Sequence, residues 1–477
     1  MIKPGELVVD NFAGGGGAST GLSLGLNRHV DIAINHDPAA IDMHKVNHPE
    51  TKHYCESVWD VDPIEACNGK KVGLAWFSPD CKHFSKAKGG TPVQKHIRGL
   101  AWVAVRWAAL VPVRMFMLEN VEEFMSWGPL IEIRPGEFMP NPDKKGQTFE
   151  AFIKVLTTGL TADNEAWPEI KEALGDDFPH YDKLINGLGY NVDFKVLAAC
   201  DFGAPTTRKR FFLVARNDGE TISWPEATHG DPEQGLIPYK TAADIVDWSI
   251  PVKSIFTRKK PLAENTLKRI AKGIQRFVID NPDPFIIRIG QTGFGGDRLS
   301  YDINKPLTTI TSKAEHLLVS PIVEKAEKTA DLITSHMIKM RGTNIGHKTD
   351  EPVHTISAGG FHIGEVRAFM IKYYGTNVGH NCKEPLQTIT TKDRFGIVTI
   401  RGDQYQIVDI GLRMLEPHEL FAAQGFPKDY IISHNSKGKK LSKASQVARC
   451  GNAVCPPVAQ ALVEANTRHK QQSKIAA

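Results

Sequence analysis

The sequence predicts an α/β chain with a mainly parallel sheet, joined to a smaller β-rich region containing repeated hairpins. Three observations carry this expectation. Short apolar runs alternate with helix-like stretches through the first 216 residues, a unit recurs at an offset of 33 residues (His336 to Phe369), and a glycine run follows the first apolar strand.

The apolar runs are ELVVDNF, VDIAIN, VGLAWF and VRMFMLEN, each short and rich in Val, Ile, Leu, Met and Phe. That is the rhythm of βαβ units, whose strands pair in parallel. From about Ile133 to Lys171 the chain turns polar, through RPGEFMPNPDKKGQ, followed by two helix-like segments, EAFIKVLTTGL and HYDKLINGLGY. This reads as an insertion before two further strands, VDFKVLAA and KRFFLVAR.

The next region is different in kind. HMIKMRGTNIGHKTDEPVHTIS and FMIKYYGTNVGHNCKEPLQTIT share Gly342, Thr343, Asn344, Gly346 and His347 with Gly375, Thr376, Asn377, Gly379 and His380. A longer copy, FIIRIGQTGFGGDRLSYDINKPLTTIT, has the apolar start and the Pro-Leu-x-Thr-Ile-Thr ending. Each unit reads as strand, Gly-rich loop, strand. The expected division is 1–218, a repeat-bearing 219–410 with units near 284–321, 336–368 and 369–400, and a closing segment 411–477 that returns to the first.

Composition sets wider limits. At 477 residues and 41% hydrophobic content the chain can build two or three cores, and a net charge of +4 permits an anionic partner without demanding one. The seven cysteines include no CxxC pair, which argues against a disulfide framework or a zinc site and for a reducing cytoplasm. No apolar run of about eighteen residues and no charged-then-apolar leader occurs, so neither a membrane span nor a signal peptide is expected.

FAGGGGAST sits where a strand hands over to a helix and where bare backbone can approach a ligand. Ser19 or Thr20 stands where a dinucleotide fingerprint needs its third glycine, which favours another adenosyl cofactor. After the second strand Asn35, His36 and Asp37 precede Pro38, and Asp37 is either a ribose acceptor or an ordinary turn residue. SPDCKHFS places Cys81 just past a strand end, as a nucleophile or an inert thiol. Glu119 ends a buried strand, where a carboxylate is costly unless paired or working. In GAPTTRKRFFLVA, alternation puts Arg208 and Arg210 on one face and Lys209 on the other.

In this order, FAGGGG, SPDCKHFS, ENV, GAPTTRKRFFLV and CGNAVCPPVAQAL resemble the ordered motifs of the cytosine-5 DNA methyltransferase family. RMLEPHELFAAQGFP resembles the family segment that braces the recognition region. The resemblance covers roughly 5–216 and 411–465, and leaves the repeats as the variable part where the family keeps its sequence readers.

It implies a Rossmann-like methyltransferase domain and S-adenosylmethionine as methyl donor, with no metal. Double-stranded DNA would be the substrate, its target cytosine flipped from the stack, and the protein would act as a cytoplasmic monomer of bacterial or phage origin, with restriction-modification as one setting. The implied catalytic residues are Cys81, Glu119, Arg208 and Arg210. The implied cofactor contacts are Phe12, Ala13, Gly14, Gly16, Asn35, His36, Asp37, Ser57 or Asp60, Pro79, Asn452 and Val454. Asp80 and Lys82 replace the Pro and Gln that usually flank the family's cysteine, and His36-Asp37 replaces its ribose-binding Glu. The alternatives are an RNA (tRNA) cytosine-5 methyltransferase and a catalytically silent DNA-binding relative.

Overall fold

The computed structural model describes residues 2–80, 99–274 and 403–468, and between them the strand segments 285–287, 300–302, 307–308, 317–319, 332–339, 347–348, 363–372 and 397–400. Cys81 and the loops of the second and third repeats, with Asn344 and Asn377, lie outside the described residues.

The four apolar runs become β1 (Leu7–Asn11), β2 (Ile32–Ile34), β4 (Val72–Phe77) and β5 (Met115–Asn120). Each is buried along its whole length, as in a parallel sheet covered on both faces. β3 (Lys52–Tyr54) has no such run because it is the outer strand, with Lys52 exposed. The order is β3-β2-β1-β4-β5, all parallel, and then two strands that close the sheet, β10 (Lys209–Arg216) antiparallel to β5 and β8 (Asn191–Ala198) antiparallel to β10.

The insertion opens with a hairpin the sequence pattern did not announce, β6 (Leu130–Arg134) and β7 (Glu137–Pro140), turning at Gly136 with φ +75°. β6 alternates Ile131 and Ile133 with Glu132 and Arg134, but both isoleucines are exposed, so the alternation marks no buried face.

The helices are α1 (Gly17–Leu26), α2 (Pro38–Asn47), α3 (Pro63–Cys67), α4 (Trp102–Leu110), α5 (Gln147–Leu156), α6 (Trp167–Leu174) and α7 (Tyr181–Asn186). Helices α3 to α7 cover the face that carries Val9, Ile34, Phe77, Phe116 and Leu118. The opposite face, with Val8, Leu74, Trp76, Met117 and Phe212, is covered by α1 and by a helix from the far end of the chain.

That end is a strand at Asp403–Met414 followed by three helices, which after α8 (Glu264–Ile274) are α9 (Pro417–Ala423), α10 (Lys443–Asn452) and α11 (Pro456–Thr467). Arg413 forks onto the fully buried Glu419 at 2.8 and 2.9 Å and also donates to the Asp247 carbonyl. The two oxygens of Glu419 further accept the backbone N–H groups of Asp247 and Glu416. The carboxylate is thus fully satisfied, the condition under which a buried ion pair is tolerated.

The repeat region supplies a second, mixed sheet. Leu332–Lys339 and Ile363–Lys372, equivalent strands of two repeats, pair antiparallel, and Ile363–Lys372 pairs antiparallel with Asp403–Met414. Hairpins are visible where both arms are described: Phe285–Ile287 with Ser300–Asp302, and His336-Met337 with His347-Lys348. Leu307-Thr308, from the ending of the first repeat, pairs in parallel with β9 (Thr206–Thr207) beside the first sheet.

α1 and α11 pack through glycines one turn apart. A Cβ at Gly17 would overlap the Val454 carbonyl, one at Gly21 the Pro456 carbonyl and Ala459, and one at Gly25 the side chain of Val463. Gly21→Val is therefore expected to cost about 2 to 3 kcal/mol of stability, read as a lower urea midpoint at unchanged slope.

Candidate active site

The site gathers at the carboxyl ends of the parallel strands, where an open α/β sheet leaves a crevice. At the end of β1 the chain turns sharply: Phe12 has φ +64°, Gly14 +53° and Gly16 +97°, with Gly16 capping α1. The turn is held by Ala13 N–H on the Ile34 carbonyl (3.0 Å) and Gly16 N–H on that of Ala13 (3.0 Å). Its outer side is closed by the Tyr430 hydroxyl, which donates to the Gly15 carbonyl and lies where a Cβ on Gly16 would be. The glycines are thus required by left-handed backbone at 16 and by a tyrosine 415 residues further on.

A buried polar chain runs behind the turn. The Ser19 hydroxyl donates to Asp10 Oδ2 (2.6 Å), so His44 Nε2, 2.9 Å away, must donate to Ser19 and His44 Nδ1 must accept from His53 Nε2 (2.8 Å). Thr20 donates to the Gly16 carbonyl (2.7 Å), which makes His48 Nε2, 3.2 Å from Thr20 Oγ1, a donor. Burial pushes the Asp10 carboxyl up to about 7 and the His48 imidazole down to about 4. His44 falls well below its ordinary range for the same reason.

Beyond β2, Asn35 Oδ1 accepts from Asp37 N–H (2.9 Å), and Asp37 caps α2 through Ala39 N–H (3.0 Å). The other oxygen of Asp37 pairs with Arg449 at 2.6 Å. His36 is exposed. Beyond β3, the Ser57 hydroxyl accepts from Trp59 N–H (3.3 Å), whereas Asp60 is exposed and shows no hydrogen bond from its side chain.

Glu119 lies opposite Phe212 in the β5–β10 register, and Arg210, two residues before Phe212, shares that face. Their side chains meet at 3.2 Å, both largely buried. Asn120 points to the other face, where its amide donates to the Pro79 carbonyl (3.3 Å) at the root of the segment that carries Cys81. Lys209 is exposed, as the alternation requires. Arg208 does not join Arg210 on Glu119; it is buried and donates to the Gly451 carbonyl at 3.2 Å.

Gly451 belongs to the closing motif. Val454 is buried against Gly17 and Asn452 is exposed at the end of α10. Next to them the Cys455 thiol donates to Gln424 Oε1 (2.9 Å), and Gln424 Nε2 holds the Cys450 carbonyl (2.9 Å). Burial pushes the Cys455 thiol up to about 11, which keeps it protonated. Sequence reasoning passed over Tyr430, Arg449, Gln424 and Cys455, and none carries a local signal, because each acts on a residue distant in the chain.

The match to the family model for C-5 cytosine-specific DNA methylase spans residues 170–468. The chain belongs to this family. The matched stretch holds the Arg208–Arg210 strand, Arg413, Glu419 and the Gly451–Val454 motif, while the glycine turn and the segments around Cys81 and Glu119 precede it. Among curated relatives, the type II methyltransferase M1.HphI of Haemophilus parahaemolyticus is 23% identical over 96% of this chain and 85% of its own. M.AquIA of Picosynechococcus is 27% identical over 50% of this chain and 87% of its own. Among solved structures, an Entamoeba histolytica methyltransferase aligns over 97% of this chain and 98% of its own at 12% identity, with a TM-score of 0.46.

A cavity of about 1140 Å³ opens among α4, α5 and α6, and of its described lining residues only Trp59, whose N–H bonds Ser57, borders this site. Glu150, Glu165, Glu169, Glu172 and Asp177 on its wall make it a poor place for a phosphate backbone. No cluster able to hold a metal ion and no helix long and apolar enough to cross a membrane occurs among the described residues.

Asp10 gives a pH prediction. Between pH 4 and 7 the unfolded chain ionises this carboxyl while the folded chain keeps it protonated, so its contribution to stability falls as pH rises through that window and is level above it. Asp10→Asn keeps an acceptor for Ser19 and cannot ionise. Its stability relative to wild type should be greater at pH 8 than at pH 4.5 by on the order of 3 kcal/mol, read from paired denaturant titrations.

Proposed function

We propose that this DNA cytosine-5 methyltransferase uses Cys81 as its nucleophile on a cytosine flipped out of a specific duplex site, with Glu119 and Arg210 acting on the same ring. The observation that supports this most directly is the Glu119–Arg210 pair, largely buried at the carboxyl edge of the sheet, with neighbouring Asn120 bonded to the backbone two residues before Cys81.

The crevice suits S-adenosylmethionine. It offers bare glycine backbone at Gly14 and an exposed Asp60 at the β3 end. Phe12, Ala13, Gly14, Gly16, Pro79, Asn452 and Val454 would line it, with Asn35 and His36 beside the ribose. Asp60 serves the adenine better than Ser57, whose hydroxyl already closes its own turn. Asp37 is committed to its helix cap and to Arg449, so it acts at the ribose only with Arg449 as its partner. The bound cofactor supplies an electrophilic methyl group.

Carbon 5 of cytosine is a weak nucleophile until a thiolate adds at carbon 6. Cys81 makes that bond. Glu119 carries or shares a proton at ring nitrogen 3, and Arg210 donates to the ring carbonyl, so both relieve the charge that addition creates. Once carbon 5 is methylated its proton leaves, the carbon 6–sulfur bond breaks, and the thiolate is restored. Arg208 is a positioning residue, fixing Gly451 and with it the Asn452–Val454 wall. Flipping the base costs a few kcal/mol, which DNA contacts must offset. The repeat loops are the proposed readers, and a monomer in the bacterial or phage-infected cytoplasm is the proposed working form.

Fluorine at carbon 5 blocks the last proton loss. Wild-type protein with S-adenosylmethionine and 5-fluorocytosine duplex should form a denaturation-resistant adduct that maps to Cys81, and Cys81→Ser should form none. An adduct at Cys55, Cys200 or Cys450, or turnover by Cys81→Ser, would overturn the assignment. Asn344→Ala or Asn377→Ala should change which plasmid sites are methylated at unchanged cofactor affinity, and DNA binding should weaken steeply with salt through residues such as Lys339, Arg341 and Lys372. Unchanged site preference would leave the loops as scaffold.

A further inference from the structure

Gln424 stands where the three closing helices meet. It caps the end of α9, its side chain is fully buried, and its amide bridges the last turn of α10 to Cys455, the residue that opens α11. Cys455 makes no side-chain cap on its own helix; the thiol turns to Gln424 instead. Gly425 completes the junction, since a Cβ there would overlap the Pro457 ring and come within 3.3 Å of Ala204, on the segment that leads to Arg208.

Hydrogen-bond chemistry fixes which way the amide points. The Cys450 carbonyl can only accept, so the end of Gln424 that faces it at 2.9 Å is the NH2. The amide oxygen is left facing Cys455, and among the described residues that thiol is its one donor (2.9 Å). A helix leaves its last carbonyls without partners inside the helix. At the end of α10 two in succession are held: that of Cys450 by Gln424, with Ala453 N–H as a second donor (3.2 Å), and that of Gly451 by Arg208 (3.2 Å). The place at which Arg208 finds its acceptor is therefore set by the amide that holds the preceding carbonyl. Arg208 stands two residues before Arg210, whose side chain meets Glu119. The Cys455 thiol lies close enough to Arg208, Arg210 and Glu119 for all three charges to act on it.

We infer that Gln424 and Cys455 are a positioning pair for Arg210 and Glu119: the thiol orients the amide, the amide fixes the end of α10, and that end fixes Arg208 and the strand carrying Arg210. Both act through other residues. The inference rests on the reading of Glu119 and Arg210 above and adds the support on which their geometry depends. It requires the S–H donor of Cys455, not merely the volume of its side chain.

The test separates donor from volume. Methyl transfer to unmethylated plasmid DNA is followed with enzyme in excess over DNA and S-adenosylmethionine saturating, so that weakened binding does not enter the rate. Cys455→Ala and Cys455→Val, which leave the Gln424 oxygen without its donor, should slow the transfer by about tenfold to a hundredfold. Cys455→Ser keeps a donor and should stay within about threefold of wild type. Gln424→Leu should be as slow as Cys455→Ala, and adding Cys455→Ala to it should cost nothing more, because the two side chains act as one unit. Gln424→Met, which keeps the length without the amide, carries the same expectation if leucine does not fit. Full rate in Cys455→Ala, rescue by valine as complete as by serine, or losses that multiply in the double variant would overturn the assignment. A lowered melting temperature with an unchanged rate would also overturn it, since the pair would then serve stability alone. Wild-type protein that forms no adduct at Cys81 on 5-fluorocytosine duplex would instead overturn the reading of the reacting groups, and this inference with it.

Discussion

The rest of the site depends on how closely α1 and α11 approach. Their backbones meet where Gly17 faces the Val454 carbonyl and Gly21 that of Pro456, a separation that leaves no room for a Cβ. That contact brings a segment more than 400 residues away in the chain onto the first strand–helix turn. Once it is made, Tyr430 reaches the Gly15 carbonyl, Arg449 reaches Asp37, and the Gly451 carbonyl comes within reach of Arg208. Each of these bonds joins a residue of the closing segment to a turn beside the first sheet. The crevice is therefore a joint product of both ends of the described chain.

Much of this was legible in the sequence, for a physical reason. Strands buried on both faces must be continuously apolar, so β1, β2, β4 and β5 declare themselves, and a 33-residue repeat declares its hairpins. The edge strand β3 did not, being three residues long with Lys52 exposed, and the Ile131–Ile133 alternation of β6 is short and opens into a polar stretch. Among site residues, alternation gave the opposed directions of Lys209 and its neighbours but not the parting of Arg208 from Arg210. Strand period fixes a face, whereas the partner met on that face comes from tertiary packing: Glu119 in one case, Gly451 in the other. The double reading of Asp37 likewise persists, because helix cap and ribose acceptor ask for the same side chain in the same place.

Part of the buried polarity gathers near the crevice. Asp10, Ser19, His44 and His48 lie behind the glycine turn, Asn11 lies beneath it, and Glu119 with Arg210 stands two strands away. A sheet optimised for stability alone would replace most of these with aliphatic side chains. The apolar layers of α4 to α7 on one face, and of α1 and α11 on the other, supply the stability that permits this.

The two sheets meet at a point with chemical meaning. Leu307-Thr308, from the ending of the first repeat, pairs with Thr206-Thr207, and the next residue is Arg208, two before Arg210. A displacement of that repeat ending would therefore be felt first at the backbone carrying the arginine that holds Gly451 and the arginine that holds Glu119. On the other side, the strand Asp403–Met414 carries Arg413 next to its end, and the fork of Arg413 on Glu419 fixes the start of the closing helices. The repeat region is thus anchored at both margins to elements that shape the crevice. A short path of backbone pairing and buried charge joins the proposed readers to Arg208, Arg210 and Glu119, and rigid connection of that kind is what a site-specific enzyme needs if a correctly seated duplex is to meet groups proposed to act on its cytosine.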